Sequence, residues 1–323
     1  MSSKDKSTPR ELVDHSGRKL PENTIFFVEP PAEIGPVVSA FSTLKPGRYD
    51  RSALVRLIRM FFRILLVGGG SIFVSLFVLA FADSLVARLS GIVSLRIFLL
   101  PLLSGILFLT GWYLTRSKHY CSYVAERGVA FFSCRGPKNK ITSATTLVFS
   151  SATELRNRQT RRYINGIYQG TYYSYEWTNT NGKSCLGIKG MYKSRDFALP
   201  EAGDEFHFVR AAEVAWSQYL LDSIQNSLNE NGNIVFRLYG DEYVAVAPDR
   251  LEISLGGKKS FLTRPEIGSV HINQREVVIK RSDAKTGWLK SEGVFTFDYG
   301  LLANAIVFET VLNNILSVRI NRT

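Results

Sequence analysis

Two long runs without a charged residue dominate the sequence: ILLVGGGSIFVSLFVLAFA at residues 64–82 and IFLLPLLSGILFLTGWYLT at residues 97–115. A helix rises about 1.5 Å per residue, so roughly 20 apolar residues cross the hydrocarbon core of a bilayer. Both runs would be apolar on every side of a helix, which argues against two helices buried in a globular core. The sequence therefore predicts a transmembrane hairpin over residues 51–118, with helices at about 58–82 and 92–115.

Basic residues flank these runs, and positive residues favour the cytoplasmic side of a membrane. We therefore expect a multi-pass integral protein of the inner or plasma membrane, with both termini in the cytoplasm. Arg96 is expected either to snorkel to the headgroups or to be an intramembrane charge with a function, and snorkelling is favoured. The arginines predicted at the membrane interface are Arg56, Arg59, Arg63, Arg96 and Arg116.

The composition sets further bounds on the remainder of the chain. The 323 residues carry a net charge of +12, part of which is the basic flanks of the apolar runs. No nucleic-acid-binding motif is visible, so we do not expect a nucleic-acid partner. Three cysteines without metal-ligand spacing are interpreted as reduced core or strand residues. Residues 1–50 are mostly polar, contain no signal peptide, and are predicted to be a disordered cytoplasmic segment.

After residue 118 the pattern becomes that of strands, followed by one amphipathic helix. Asn165-Gly166 and Asn181-Gly182 indicate turns, and apolar residues then recur every four positions in a helix over 204–229, with Asp204 as its N-cap. The predicted strands are 120–126, 129–134, 145–150, 155–163, 168–178 and 185–189.

The same order of elements then occurs a second time, ending in a helix from about 301 to 318. The predicted strands are 234–238, 243–247, 251–255, 259–263, 269–273, 276–281 and 294–297. Antiparallel strands closed by a C-terminal helix are typical of the pleckstrin-homology plan. We therefore predict an α+β membrane protein: the two-helix transmembrane hairpin, then two such units at 119–230 and 231–318, then a tail at 319–323.

Four stretches carry a resemblance to a known family. They are YINGIYQGTYYSY at 163–175, VAERGVA at 124–130, YGDE at 239–242 and ANAIVF at 303–308. Together they resemble an uncharacterised family of bacterial membrane proteins with pleckstrin-homology-like domains. The resemblance covers about residues 120–316 and implies a cytosolic double domain. It implies no activity and no functional residues.

No catalytic motif is visible in the sequence. The four histidines, His15, His119, His207 and His271, have neither HxxxH nor HExxH spacing, and no cysteine lies at a metal-ligand distance in sequence. There is no GxSxG sequence, no Walker loop and no GxGxxG sequence. We therefore expect a protein that is not an enzyme and that holds no cofactor and no metal.

Two basic clusters are candidate sites for lipid headgroups or another anionic ligand. Basic residues at strand ends can converge on one phosphate, although a solvated basic face is the alternative. Arg156, Arg158 and Arg162 share parity in a strand and so share one face, whereas Arg161 lies on the other. The clusters are Arg156, Arg158, Arg161 and Arg162, and Lys258, Lys259 and Arg264.

Three functions remain open at the level of sequence. The first is a non-catalytic membrane-anchored scaffold or sensor whose tandem domains bind an unknown protein partner or the inner leaflet. The second is a reader of anionic lipid headgroups, and the third is a small transporter or channel subunit. Gly68-Gly69-Gly70 would let helices approach closely, either within the hairpin, which is favoured, or between copies in a homo-oligomer.

Overall fold

The computed structural model describes residues 12–44, 61, 64, 66–74, 77, 102, 104–110, 118–135, 140–194, 199–201, 203–272, 276–286 and 291–322. Strands make up 46% of it, and the sheets are mostly antiparallel. Uninterrupted helix within the predicted transmembrane region is described only over 66–74 and 104–110.

The predicted transmembrane hairpin is contradicted by this structure. In the part of the chain that the structure describes, no helix combines the length and the apolar character that a membrane crossing requires. The predictions of an α+β membrane protein and of a multi-pass location with cytoplasmic termini are therefore wrong. A long uncharged run is necessary for a spanning helix but does not by itself establish one. The five predicted interface arginines, Arg56, Arg59, Arg63, Arg96 and Arg116, lie outside the described residues.

The first unit consists of two antiparallel sheets and a helix. One sheet has the order β1-β2-β3-β4 and the other the order β5-β6-β7. Helix α1, Glu205–Asn231, follows the last of these strands. The strands are β1 Val37–Ser42, β2 Lys118–Ala125, β3 Gly128–Arg135, β4 Lys140–Val148, β5 Glu154–Ile164, β6 Ile167–Thr178 and β7 Ser184–Tyr192.

Helix α1 begins and ends at the residues that local chemistry favours. The Asp204 side chain accepts a hydrogen bond from the backbone N–H of Phe206 at 2.9 Å, as an N-cap does. Gly232 adopts the left-handed conformation at the C-terminal end, with φ of 72°. The buried first half of the helix packs Phe208, Ala212 and Trp216 against both sheets. The predicted N-cap is confirmed.

The second unit has the same order of elements. Its first sheet is β11-β10-β9-β8 and its second is β14-β13-β12-β15, and helix α2, Ala305–Leu316, follows β14. Phe308 and Leu312 of α2 are fully buried in the core of this unit. The strands are β8 Ile234–Arg237, β9 Tyr243–Val246, β10 Arg250–Leu255, β11 Lys258–Thr263, β12 Ile267–Ile272, β13 Glu276–Thr286, β14 Ser291–Asp298 and β15 Ile320–Arg322.

Asn304 joins the two units. Its side-chain oxygen accepts hydrogen bonds from the backbone N–H of Leu155 and from Nε1 of Trp216, both at 2.9 Å. Its amide nitrogen donates to the carbonyl of Thr153 at 3.0 Å. The residue has φ of 56°, a left-handed conformation that asparagine tolerates better than most residues. One amide of the second unit therefore satisfies three polar groups of the first.

The two ends of the chain differ from the sequence prediction. Within the predicted disordered segment, residues 12–44 are described, and β1 pairs with β2 from Val37 opposite Ala125 to Ser42 opposite Cys121. Within the predicted tail, β15 pairs in parallel with β12. Both strands pair with partners distant in sequence, which local patterns do not reveal.

Candidate functional site

The hairpin of β5 and β6 is the feature that organises the candidate site. Its strands pair from Glu154 opposite Thr178 to Ile164 opposite Ile167. Asn165 and Gly166 form the two-residue turn with φ of 50° and 77°. Positive φ at both central positions is the type I′ geometry that matches the twist of a hairpin, and Asn-Gly is its preferred sequence. The predicted turn is confirmed.

The tip of this hairpin exposes large apolar side chains. Ile167 is 66% exposed, Tyr163 49% and Ile164 46%. Ile164 and Ile167 are direct partners across the turn, and the rings of Tyr163 and Tyr168 meet edge to face at 5.8 Å. The tip residues therefore form a small, ordered apolar surface, which we call the hairpin tip (Tyr163, Ile164 and Ile167).

Basic side chains lie along one face of the same sheet: Arg162 is two residues from Ile164, whereas Arg158 and Lys189, which are level with each other across the sheet, lie roughly 20 Å from the hairpin tip. Arg162 donates to the Tyr172 hydroxyl at 3.0 Å, and its guanidinium carbon lies 5.9 Å from the centre of that ring. Arg158 pairs with Asp298 at 3.5 Å and stays 58% exposed. An open depression of about 450 Å³ on this face is lined by residues that include Arg158, Tyr172 and Lys189. We call this the basic face (Arg158, Arg162 and Lys189).

Arg156 shares the parity of the basic face, but the structure uses it to join the two units. Its guanidinium donates to the carbonyls of Leu238 at 3.0 Å and Leu301 at 3.2 Å, and it pairs with Glu154 at 2.8 Å. Its donors are thus engaged by the second unit. Arg161 has the opposite parity, and both Arg161 and Arg158 line a cleft between the units.

The second predicted cluster lies in the other unit, on β11 and the short turn that follows it. Lys259 faces Glu252 at 3.8 Å and the ring of Tyr243 at 5.5 Å. Lys258 and Arg264 lie on exposed surface, and neither belongs to the residues that line the described cavities. The structure therefore does not bring the two predicted clusters into one site.

A cleft of about 630 Å³ lies between the two units. Its arginines come from β5, α1 and β15, and they are Arg158, Arg161, Arg210 and Arg322. The remaining lining includes Asp298, Tyr299, Ile306 and Glu309. This juxtaposition of distant segments could not be read from the sequence.

Two buried carboxylates pair with arginines of this cleft; Glu309 lines the cleft itself, and Glu213 is bound to Arg210. Glu213 is 2% exposed, accepts from Arg210 at 2.7 Å, and also accepts from the Asn157 side chain. Burial raises its pKa, while Arg210 and Asn157 act in the opposite direction. Glu309 is 8% exposed and accepts from Arg322 and, at 2.7 Å, from the Tyr299 hydroxyl. Burial is the main cause that raises the pKa of Tyr299, so its hydroxyl stays protonated and donates this hydrogen bond.

His15 and His207 line a second cavity of about 540 Å³ near the start of α1. The ring of His15 is hydrogen-bonded to the hydroxyls of Ser39 at 2.8 Å and Ser122 at 2.9 Å, and burial lowers its pKa to about 4. Across the described residues, no group of three or more His, Cys, Asp or Glu side chains is placed to hold a metal ion.

Sequence reasoning missed the hairpin tip as a functional feature. Ile164 and Ile167 lie between the predicted strands 155–163 and 168–178, on either side of the Asn-Gly turn, and apolar residues in these two positions are a visible signal. No protein-family model and no curated protein matches the chain. The resemblance to bacterial membrane proteins with pleckstrin-homology-like domains therefore stays a prediction, as does the homo-oligomer.

Proposed function

We propose that this chain is a non-catalytic binding protein that docks on anionic lipid surfaces through the β5–β6 hairpin. The observation that carries the proposal is the exposure of Ile164 and Ile167 at the hairpin tip, with Arg162 two residues behind Ile164 on the basic face. Apolar tips with basic residues behind them suit a lipid interface, where the tip leaves water and the charges meet phosphates.

The energies of these two contributions are comparable. Moving a half-exposed isoleucine out of water contributes about 1 kcal/mol. Each basic side chain near an anionic surface contributes about 1 kcal/mol more. Ile164, Ile167 and Arg162, the residues at or next to the tip, together contribute roughly 3 kcal/mol, or about a hundredfold in partitioning. Neither the apolar tip nor the basic side chains suffice alone, so binding is expected to require both acidic lipid and an intact tip.

The test is sedimentation of the full chain with two kinds of vesicle. One is phosphatidylcholine alone, and the other also contains about 30 mol% of the acidic lipid phosphatidylglycerol. We expect binding to the acidic vesicles only. This binding should weaken as the salt concentration rises, because the Debye screening length falls to about 3 Å at 1 M. Ile164→Ser/Ile167→Ser and Arg162→Glu/Lys189→Glu should each weaken binding at least tenfold.

The matched control is Lys258→Glu/Arg264→Glu, which makes the same change in charge in the second unit. It should leave vesicle binding within about twofold of the unchanged chain. Equal losses in both charge variants would attribute binding to net charge and contradict the role of the hairpin. Unchanged vesicle binding of Ile164→Ser/Ile167→Ser would also contradict the role of the hairpin. The protein partner predicted from the sequence stays a prediction, because no described surface specifies its chemistry.

A further inference from the structure

The second cavity, near the start of α1, has features of a ligand site that the lipid-docking proposal does not use. Its volume of about 540 Å³ falls in the range of small-molecule sites. It lies where the N-terminal segment (residues 12–44), β2, β3 and the start of α1 meet, all within the first unit. The described residues that line it belong neither to the hairpin tip nor to the basic face.

A continuous row of rings lines this cavity. The ring centroid of His15 lies 6.4 Å from that of Phe41 and 5.2 Å from that of Phe208. The centroid of Phe131 lies 6.0 Å from that of Phe208 and 5.6 Å from that of Tyr120. Phe41, Tyr120 and Phe131 are only partly buried, so ring surface stays accessible. We call these five side chains the ring wall, and the faces of its phenyl and phenol rings carry the partial negative charge that attracts cations.

Three carboxylates line the same cavity. They are Asp14, Asp204 and Glu205, and none of the described lining residues is Lys or Arg, in a chain with a net charge of +12. Asp14 is paired with Arg18 at 3.0 Å, and Asp204 caps α1, so these two are already compensated. Glu205 is the exposed acid of the three. Partial burial of its carboxylate and the adjacent Asp204 raise its pKa, so its negative charge is compensated less well than in water.

This combination of rings and carboxylates favours an organic ammonium ion. An anion would be repelled by Glu205 and by the ring faces. A neutral apolar molecule would fill the cavity but would leave the charge of Glu205 uncompensated. A metal ion is not favoured either, because no group of three or more ligating side chains occurs among the described residues. We propose that the cavity binds a small organic ammonium ion, with its apolar body against the ring wall and its charge beside Glu205.

Two probes of nearly the same shape separate charge from apolar contact. They are phenethylammonium and phenethyl alcohol, which differ only in the ammonium group that replaces the hydroxyl. Both are measured by titration calorimetry on the full chain near neutral pH, where the amine is protonated. We expect saturable binding of phenethylammonium that is about tenfold or more tighter than binding of the alcohol. Equal affinities, or no saturable binding of phenethylammonium, would overturn the proposal.

Two substitutions remove the two features separately, each with a matched control. Tyr120→Leu removes a ring and keeps the backbone hydrogen bonds to Thr43, and Glu205→Gln removes a charge and keeps the shape. Each should weaken phenethylammonium binding about fivefold or more. Tyr239→Leu and Glu201→Gln make the same changes at exposed positions outside the cavity, and should stay within about twofold. Equal losses in a cavity variant and its control would overturn the assignment to the cavity.

Further variants keep this result separate from lipid docking. Ile164→Ser/Ile167→Ser should bind phenethylammonium like the unchanged chain while losing vesicles. Tyr120→Leu should bind vesicles like the unchanged chain while losing phenethylammonium. Loss of phenethylammonium binding in the folded tip variant would place the ammonium ion at the hairpin and contradict the cavity site. A circular-dichroism melt of each variant confirms that it is folded.

Discussion

At the scale of single residues, the Asn304 side chain makes three hydrogen bonds that connect the second unit to the first. Replacing it with alanine leaves the indole N–H of Trp216, which is 0% exposed, and the N–H of Leu155 without their acceptor. We expect Asn304→Ala to lower the free energy of unfolding by about 3 kcal/mol, because each unsatisfied buried donor costs about 1–3 kcal/mol. Urea denaturation measures this change.

Asn304→Asp is the matched control for that substitution. Aspartate keeps both accepted hydrogen bonds and tolerates a left-handed backbone, and it loses only the donation to Thr153. We expect a loss of about 1 kcal/mol. Equal losses in the two variants would show that the accepted hydrogen bonds do not join the units.

His15 gives the stability of the chain a defined pH dependence. Burial lowers its pKa to about 4, so between about pH 6.5 and pH 4 the unfolded chain binds a proton that the folded chain does not. Stability therefore falls as the pH falls through this window, by up to about 2 kcal/mol at pH 5. We expect His15→Gln to remove this part of the slope in urea denaturation at pH 7, 6 and 5. An unchanged slope would contradict a neutral, hydrogen-bonded His15.

At the scale of elements, β15 shows how a short strand completes the second unit. Ile320 pairs with Val270, which is 0% exposed, and Arg322 contacts the buried carboxylate of Glu309. We expect removal of residues 319–323 to lower the free energy of unfolding by about 1–3 kcal/mol, since a buried acid loses its cation. Arg322→Gln should account for part of the loss, and an unchanged denaturation midpoint in the truncated chain would contradict the pairing.

Elements with local signals could be predicted, and elements defined by distant partners could not. Helix α1 has an N-cap at Asp204 and an ending at Gly232, and β5 and β6 have an Asn-Gly turn between them. In contrast, β1 pairs with a strand that follows an intervening segment of 75 residues, 43–117, and β15 pairs with β12. Helix α2 begins at Ala305 and not at Leu301, because Asn304 turns left-handed to reach the first unit.

At the scale of the whole molecule, the site depends on how the two units join, which the sequence does not specify. Parity placed Arg156 on the same face as Arg158 and Arg162, but its donors reach two carbonyls of the second unit. Arg210 and Arg322 entered no sequence prediction because nothing local brings α1 and β15 together. The membrane fold predicted from the uncharged runs at 64–82 and 97–115 is wrong, because length and hydropathy alone do not establish a spanning helix.

Arg156 is expected to stabilise the junction and to leave lipid docking unaltered. Arg156→Ala removes donors from the carbonyls of Leu238 and Leu301, and we expect it to lower the free energy of unfolding by about 2 kcal/mol. Vesicle binding below the melting temperature should not change. Loss of vesicle binding in a folded Arg156→Ala protein would contradict this expectation and show that Arg156 takes part in lipid binding.

The most direct test of lipid docking is the depth of the hairpin tip in a bilayer. Ile167→Trp places a fluorophore at the tip, and Phe261→Trp places one at a position in the second unit that is 56% exposed. Each is measured against the unchanged chain with acidic vesicles whose acyl chains carry bromine. We predict a blue shift and quenching for Ile167→Trp and neither for Phe261→Trp. Equal spectra for the two proteins in the presence of bound vesicles would contradict insertion of the hairpin tip.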